Sequence, residues 1–355
     1  MNKYSPKRVA ILLFSSYLFV SGNLMQAHAQ ETVIVNTDLV TMWAQVINRN
    51  TSLPSKGLVI EDFLISEAGK PQQLVLVREE QPLSVVLLIK GYAHTWPAEK
   101  WYRRLPQTLR TLGDDIEIAV MLYDSTTTLL QPLTKDLNIL NDKLKNKGAF
   151  HYFLGRHLPE RIAEAPPDKI VLSRVGDATY KAAEYLEKTA SPTHRKIIIF
   201  ISDRSFWMDE TTMHTGAEVE AYLEQTDTTV YALLHGDKVR VHDHDLLFKL
   251  AYRDSIKRSL RGGTIEGFIK ATGGSAITGQ WEDCDEMFIK LARQIRSSYT
   301  IGYYPENTNF DGKFRRIKLE LSKSGKAKFG NVDIKTREGY HAIRPQLPNA
   351  SEKSK

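Results

Sequence analysis

Four short, almost unbroken apolar runs recur along the chain, and segments with helical spacing separate them. Strands that are covered on both faces show such runs, because every side chain then lies in a core. The predicted strands span residues 85–89, 116–123, 197–201 and 230–234, and the predicted helices between them span residues 98–112, 176–188 and 216–225. This β-α-β alternation predicts an α/β fold, with a doubly wound, mainly parallel sheet flanked by helices.

A further helix is predicted over residues 283–297, where Met287, Leu291 and Ile295 recur every four residues. The resulting apolar stripe would pack on the sheet. Glycine pairs at 262–263 and 273–274 bracket the segment 264–272. We expect these glycines to end secondary-structure elements and not to cradle a phosphate.

The two ends of the chain show a different pattern, because their apolar residues alternate with polar ones at period two. Such alternation is typical of half-exposed antiparallel strands. Residues 31–81 and 305–343 are too short to be stable alone, so we expect them to combine into a small antiparallel β subdomain beside the domain at 82–304. The polar tail 344–355 is expected to be disordered. The alternating sets are Val40, Met42, Ala44, Val46 and Ile317, Leu319, Leu321.

Residues 1–29 have the pattern of a secretory signal peptide. Three basic residues precede an apolar run at 9–20, and Ala27-His28-Ala29 fits a cleavage site. An uncleaved anchor is the alternative, but the run is shorter than the roughly 20 residues that span a bilayer. We therefore expect a secreted or periplasmic protein without a stable membrane span after cleavage.

Charge and composition exclude several function classes. Without residues 1–29 the formal net charge falls from +6 to +3, because three basic residues and no acidic one are lost. No Lys/Arg stripe with interleaved aromatic residues is visible, so nucleic acid is not an expected partner. The chain carries no GxSxG, HExxH or GxxxxGK motif, so the sequence predicts no catalytic residue, no cofactor and no enzyme.

Cys284 is the only cysteine, so no intramolecular disulfide can form. It lies in the acidic string at 282–286, whose charges are expected to raise the pKa of the thiol and make it a poor nucleophile.

The string His242-Asp243-His244-Asp245 has metal-ligand residue types without an established ligand spacing, so we expect a solvated loop. Asp114-Asp115 indicates a turn before a strand. Trp96 and Trp101 are expected in the core, with an interface role as the alternative.

Three segments resemble the exported bacterial proteins described as von Willebrand factor A-related, many of them acidobacterial. GLVIEDFLISEAGKPQQLVLVREEQP (57–82) resembles the segment before the first core strand of that family. ATGGSAI (271–277) matches the piece ahead of the last helix, and IRSSYTIGYYPENTNFDGKFRRIKLEL (295–321) with VDIKTREGY (332–340) resembles the C-terminal part. Together they cover most of residues 31–343 in the expected order.

The resemblance implies a metal-ion-dependent adhesion site, from which this sequence departs. In that family a DxSxS turn, a loop threonine and a later aspartate offer oxygen ligands to a divalent cation. Here Lys90 stands where the first aspartate would be, and Tyr92 and His94 replace the serines. GDATYKAA (176–183) places Ala178 at the threonine position, with Thr179 one place away. Asp203 alone matches a ligand, and Arg204 follows it where a glycine is usual.

We therefore expect a degenerate site without metal, in which Lys90 takes the place of the cation and pairs with Asp203. The predicted function is non-catalytic binding of a protein or cell-envelope component, and the basic groups favour an acidic partner. One alternative is metal-dependent adhesion or hydrolysis through Asp203 with His94 or Thr179; another is a structural scaffold. The predicted contact residues are Lys90, Tyr92, His94, Thr95, Thr179, Asp203 and Arg204.

Overall fold

The computed structural model of the chain describes residues 39–51, 53–79, 81–90, 104–123, 126–140, 174–203, 212–235 and 262–343. The strands are β1 (Val40–Asn48), β2 (Phe63–Glu67), β3 (Lys70–Gln72), β4 (Leu74–Glu79), β5 (Leu83–Lys90), β6 (Ile116–Tyr123), β7 (Thr127–Thr134), β8 (Arg195–Asp203), β9 (Thr228–His235), β10 (Ala276–Gly279), β11 (Ser298–Tyr303), β12 (Phe314–Leu321), β13 (Val332–Lys335) and β14 (Gly339–His341). The helices are α1 (Val175–Thr189), α2 (Gly216–Gln225), α3 (Ile265–Thr272), α4 (Cys284–Arg296) and α5 (Lys323–Phe329). Residues 104–109 and 137–140 are also helical, and 3-10 turns lie at Ile60–Asp62, Arg110–Leu112 and Trp281–Asp283.

The four predicted apolar runs are β5, β6, β8 and β9, and they form the centre of a six-stranded sheet. Its strand order is β10-β9-β8-β5-β6-β7, and its strands are parallel except β7, which pairs antiparallel to β6. Sequence patterning missed β7, since this edge strand is only partly buried and contains Pro132. The predicted fold class, a mainly parallel sheet flanked by helices with additional antiparallel sheets, is confirmed.

Both faces of the six-stranded sheet are covered by helices, which explains the continuous apolar runs. Alternate residues of β5 point to opposite faces: Val85, Leu87 and Ile89 pack with α4 and residues 104–109, whereas Val86 and Leu88 pack with α1, α2 and α3. Every residue of β5 is buried. Each such buried aliphatic side chain contributes about 1.5–3 kcal/mol of transfer free energy.

The ends of the chain combine into a second core, as predicted. One antiparallel sheet has the order β13-β1-β11-β4 and the other the order β14-β12-β2-β3. Their facing side chains form a single apolar cluster, to which β1 contributes Met42, Ala44 and Val46 and β12 contributes Ile317, Leu319 and Leu321. In β12 the residues alternate strictly between exposed and buried, as expected for a half-exposed strand.

The structure differs from the prediction at two strands of this sandwich. β11 pairs with β1 and β4, although it lies inside the segment 82–304 that the sequence assigned to the α/β domain. All its residues are buried, so it lacks the period-two pattern of an end strand. The outer face of β1 is also covered, since Trp43 and Gln45 are 7% and 3% exposed. The predicted domain boundary at residue 304 therefore lies too far along the chain, because β11 already belongs to the antiparallel sheet.

Candidate functional site

The carboxyl edge of the six-stranded sheet has its topological switch point between β5 and β8. From β5 the strand order continues through β6 to β7 on one side, and from β8 through β9 to β10 on the other. In open α/β sheets the crevice at such a point is where ligands bind. Lys90 is the last residue of β5 and Asp203 the last of β8, so two of the predicted site residues flank this point.

Lys90 is buried, with only 2% of its surface exposed. It aligns with Tyr123 of β6 and, by strand alternation, points to the same face of the sheet as Leu88. Lysine is almost never fully buried unless its ammonium group is paired or hydrogen-bonded. The side chain of Asp203 lies outside the described residues, so the pairing of Lys90 with Asp203 stays a prediction.

Two hydroxyl groups join the strands on either side of Lys90. Tyr123 Oη on β6 donates a hydrogen bond to Ser202 Oγ on β8, at 3.0 Å, and both residues are buried. The Tyr123 ring also meets the Phe200 ring edge to face, with centroids 5.6 Å apart. Because β5 lies between β6 and β8, this contact passes over β5 on the α1 side of the sheet.

Thr179, the predicted contact residue on α1, faces the interior of the protein. Its side chain is fully buried, at 0% exposure, and its Oγ1 donates to the Val175 carbonyl one turn earlier, at 2.7 Å. A threonine at a helix position satisfies its hydroxyl in this way without any ligand. Thr179 therefore has no surface for a partner to contact, and we correct its predicted role to a structural one.

Asp177, two residues before Thr179, is hydrogen-bonded to the segment that leads into α2. Its carboxylate accepts hydrogen bonds from the backbone N–H groups of Met213 and His214, at 3.0 and 2.9 Å, and from Thr212 Oγ1 at 3.1 Å. Desolvation alone would raise the pKa of this carboxyl group, but the hydrogen bonds from Met213, His214 and Thr212 outweigh it and lower the pKa below 3.8. Asp177 is thus ionised and saturated with donors from its own chain.

His214 is held in a fixed orientation by this carboxylate. Its Nδ1 lies 3.1 Å from Asp177 Oδ1, and an ionised carboxylate can only accept, so Nδ1 carries the proton. The imidazole ring stacks on Tyr180 at 3.8 Å, and Tyr180 stacks on Tyr222 at 4.3 Å. His214 keeps 30% of its side chain exposed, so its opposite nitrogen, Nε2, is the polar atom that this arrangement offers to a partner.

Met213 beside His214 is 74% exposed, the most exposed of the large apolar side chains among the described residues. Helix α1 comes before the parallel strand β8 in the chain, and α2 comes after it. Both helices therefore begin at the carboxyl edge of the sheet. Met213 and His214 therefore lie at the same edge as Lys90. Sequence reasoning missed both residues, because the contact that positions them joins Asp177 to a segment 36 residues away.

The described residues at this edge do not supply the oxygen ligands of the divalent cation that the family resemblance implies. Magnesium requires oxygen ligands in near-octahedral array, whereas Lys90 brings a buried ammonium group to the first ligand position. Thr179 Oγ1 and the Asp177 carboxylate are engaged by the protein itself. Among the described residues, no group of three or more His, Cys, Asp or Glu side chains is placed to hold a metal ion.

Several residues named from the sequence lie outside the described residues: Tyr92, His94, Thr95, Arg204, Trp96, Trp101 and the string 242–245. Their proposed roles stay predictions.

Cys284 is described and buried. Burial, with smaller contributions from Asp285, Asp283 and Glu282, raises the pKa of its thiol to about 12, which confirms that the acidic string disfavours the thiolate. Within the described part of the chain, no helix is long and apolar enough to cross a bilayer.

No family model matches the chain, and no curated protein matches its sequence. Among solved structures it is similar to the conserved hypothetical protein BatB from Bacteroides thetaiotaomicron, with 13% identity and a TM-score of 0.34 over 59% of this chain and 99% of that one. The SpRpn10 VWA domain gives 10% identity and 0.33 over 59% and 94%. Proximal thread matrix protein 1 from the mussel byssus gives 10% identity and 0.39 over 62% and 50%. At these TM-scores, the description of the architecture rests on the strand order alone.

Proposed function

We propose that the chain is a non-catalytic binding module of the von Willebrand factor A-like type, acting in the bacterial envelope or outside the cell without a metal ion. The observation that carries the proposal is the buried Lys90 at the switch point of the sheet. Its ammonium group supplies a positive charge where the related site would hold a cation and its carboxylate ligand. The secretory pattern of residues 1–29 supports the location.

The proposed contact surface lies at the carboxyl edge and has two parts. One part consists of Tyr92, His94, Thr95 and Arg204, the predicted contact residues in the segments that follow β5 and β8. The other part consists of Met213 and His214, which the structure adds. Lys90 and Asp203 stay in the proposed site as its central charges, and Lys90 acts through its charge because it is buried. An acidic group of a partner protein or envelope component fits the basic residue Arg204 of this surface.

Metal independence is tested by thermal unfolding of residues 30–355 in EDTA and in millimolar magnesium, manganese or calcium. We expect the same midpoint in all buffers. An ion held at a hundred times its dissociation constant would add about 2.7 kcal/mol, which is a rise of several degrees for a chain of this size. A saturable rise that Asp203→Ala abolishes would contradict the proposal and favour the metal-dependent alternative.

The same protein, immobilised in the same buffers, tests the contact surface by capture from envelope extract. We expect equal recovery of a partner in EDTA and magnesium, and at least a tenfold loss when Met213→Glu and Arg204→Glu are combined, since both introduce negative charge at the edge. The matched control is Lys318→Glu on the exposed face of β12, which should leave recovery unchanged. Equal recovery by all three proteins would count against this edge and favour the scaffold alternative.

A further inference from the structure

A second site lies at the opposite, amino edge of the six-stranded sheet, where β1 of the sandwich packs against the start of β8. A largely enclosed cavity of about 10 Å³ lies there, lined by side chains that include Trp43, Arg195, Arg296 and Ser298. Cavities of this size accept one particle about as large as a water molecule. The lining includes two guanidinium groups and no acidic residue.

Arg195 is a buried cation that has no carboxylate partner among the described residues. It is 4% exposed, and its two terminal nitrogens donate to the Ile295 carbonyl at 3.3 Å and to Tyr231 Oη at 2.5 Å. The guanidinium plane lies over the Trp43 ring, 4.0 Å from its centroid. These contacts satisfy hydrogen bonds and packing, but no described residue supplies a counter-charge, and an uncompensated charge is unfavourable in a protein interior.

Two buried N–H donors at this cavity also have no acceptor among the described residues. They are Arg195 Nε and Trp43 Nε1, the latter on a side chain that is 7% exposed. A buried indole N–H ordinarily finds a hydrogen-bond partner. Arginine and tryptophan side chains donate and cannot accept, so whatever satisfies both atoms must be an acceptor.

The second guanidinium strengthens the positive character of the cavity. Arg296 donates through Nη1 to the Gln81 carbonyl at 3.1 Å and through Nε to the Leu112 carbonyl. These bonds hold Arg296 between the end of α4 and the turn before β6. A water molecule could accept from Arg195 and Trp43, but only an anion both accepts and compensates the positive charge of Arg195.

We infer that this cavity binds a monatomic monovalent anion, with chloride as the physiological candidate. Its volume excludes sulfate, phosphate and carboxylates. The anion would accept from Arg195 Nε and Trp43 Nε1 and would tie β1 of the sandwich to β8 of the six-stranded sheet. The site is independent of the proposed contact surface, which lies at the other end of the parallel strands.

Crystals of the full chain grown in sodium bromide provide the direct test, since bromide replaces chloride and scatters anomalously. We expect an anomalous peak in the cavity, in contact with Arg195 Nε and Trp43 Nε1, the two donors that the anion would satisfy. A cavity that shows the density of water and no bromine signal would overturn the inference.

Thermal unfolding in sodium chloride and in sodium acetate of equal ionic strength provides the second test. We expect a saturable rise of about 3 °C in chloride, because the anion binds only the folded chain. Trp43→Phe keeps the ring under Arg195 but removes the N–H, and should weaken the chloride response at least fivefold. Tyr231→Phe removes another contact of Arg195 that does not line the cavity, and should keep the response. Equal midpoints in both salts, or an unchanged response of Trp43→Phe, would assign the cavity to water.

Discussion

Asp177 and Thr179 lie in the first turns of α1, and the protein itself engages the polar atoms of both. Thr179 bonds back to Val175, whereas Asp177 reaches across to the segment before α2. Both residue types can ligate metals, so the sequence alone left a ligand role open for Thr179. Burial and short internal hydrogen bonds decide against that role. Among the described residues of the segment before α2, Met213 is exposed and His214 is partly exposed, and local sequence patterns mark neither of them.

Replacing Asp177 with asparagine should lower the free energy of unfolding by about 2 kcal/mol at pH 7, the usual range for hydrogen bonds to a charged group. The folded-state pKa of Asp177 is lowered, so its stabilisation is present above the unfolded value of 3.8 and is lost as the pH falls through the folded value. Urea unfolding at pH 7 and near pH 3 measures the difference. Glu320→Gln on exposed β12 is the control, and a loss of unfolding free energy that is no smaller near pH 3 than at pH 7 would contradict the assigned role.

The starts of α1 and α2 require close backbone contact with the chain that leads into α3. A Cβ added at Gly176 would lie 2.1 Å from the Gly262 carbonyl oxygen, and one at Gly216 would lie 2.7 Å from Gly263 Cα. The sequence predicted that Gly262-Gly263 would end an element; the residues before Gly262 lie outside the described part of the chain, and α3 begins two residues after Gly263. Gly176 and Gly216 let α1 and α2 approach the loop at Gly262-Gly263, and this role follows only from the tertiary structure.

Substituting Gly176 with alanine separates helix propensity from packing. Propensity alone predicts a gain of up to about 1 kcal/mol, but the added methyl group meets a backbone atom that cannot rotate away. We expect a net loss of about 2 kcal/mol, as for other overpacked sites. Gly267→Ala on α3 is the matched control, since its Cβ would be 3.3 Å from the nearest atom. Denaturant unfolding of both variants measures the difference, and a gain at Gly176 would refute the packing argument.

At the scale of the molecule, a buried polar cluster joins the two sheets of the sandwich. Glu67 on β2 accepts hydrogen bonds from Tyr303 of β11 at 2.6 Å and from Tyr340 of β14 at 2.9 Å, and Arg315 of β12 lies 3.5 Å from its carboxylate. Burial, with the bond to Glu67, raises the pKa of Tyr340 to about 12, so its hydroxyl stays a donor at neutral pH. The cluster therefore links strands from both ends of the chain.

Changing Arg315 to methionine should cost about 3 kcal/mol of unfolding free energy, because it leaves the Glu67 carboxylate buried without its cation. Combining Arg315→Met with Glu67→Gln should cost less than the sum of the single changes. Lys318→Met, an exposed cation on the same strand, is the control and should change stability by less than about 0.5 kcal/mol. Additive losses in chemical denaturation would show that the pair does not act as a unit.

The sequence by itself determined the central elements of the six-stranded sheet, because strands buried on both faces and helices with one apolar face impose patterns on neighbouring residues. The central strands β5, β6, β8 and β9 and the helices α1, α2 and α4 are all visible in those patterns. The adjacent acidic residues also predicted a raised pKa for the Cys284 thiol, but burial, which only the tertiary structure shows, is the larger cause. The predicted pairing of Lys90 with Asp203 stays a prediction.

Tertiary structure alone decided which polar groups are accessible and which are already engaged. In the folded chain Thr179 is buried, the Asp177 carboxylate accepts internal hydrogen bonds and Met213 is exposed. Arg195 lies over the Trp43 ring. The tertiary structure also moved β11 into the antiparallel sheet, where burial on both faces removes the period-two pattern that would have marked it. The physical reason is common to all these cases. The deciding contacts join residues far apart in the chain, and a local sequence pattern does not identify a distant partner.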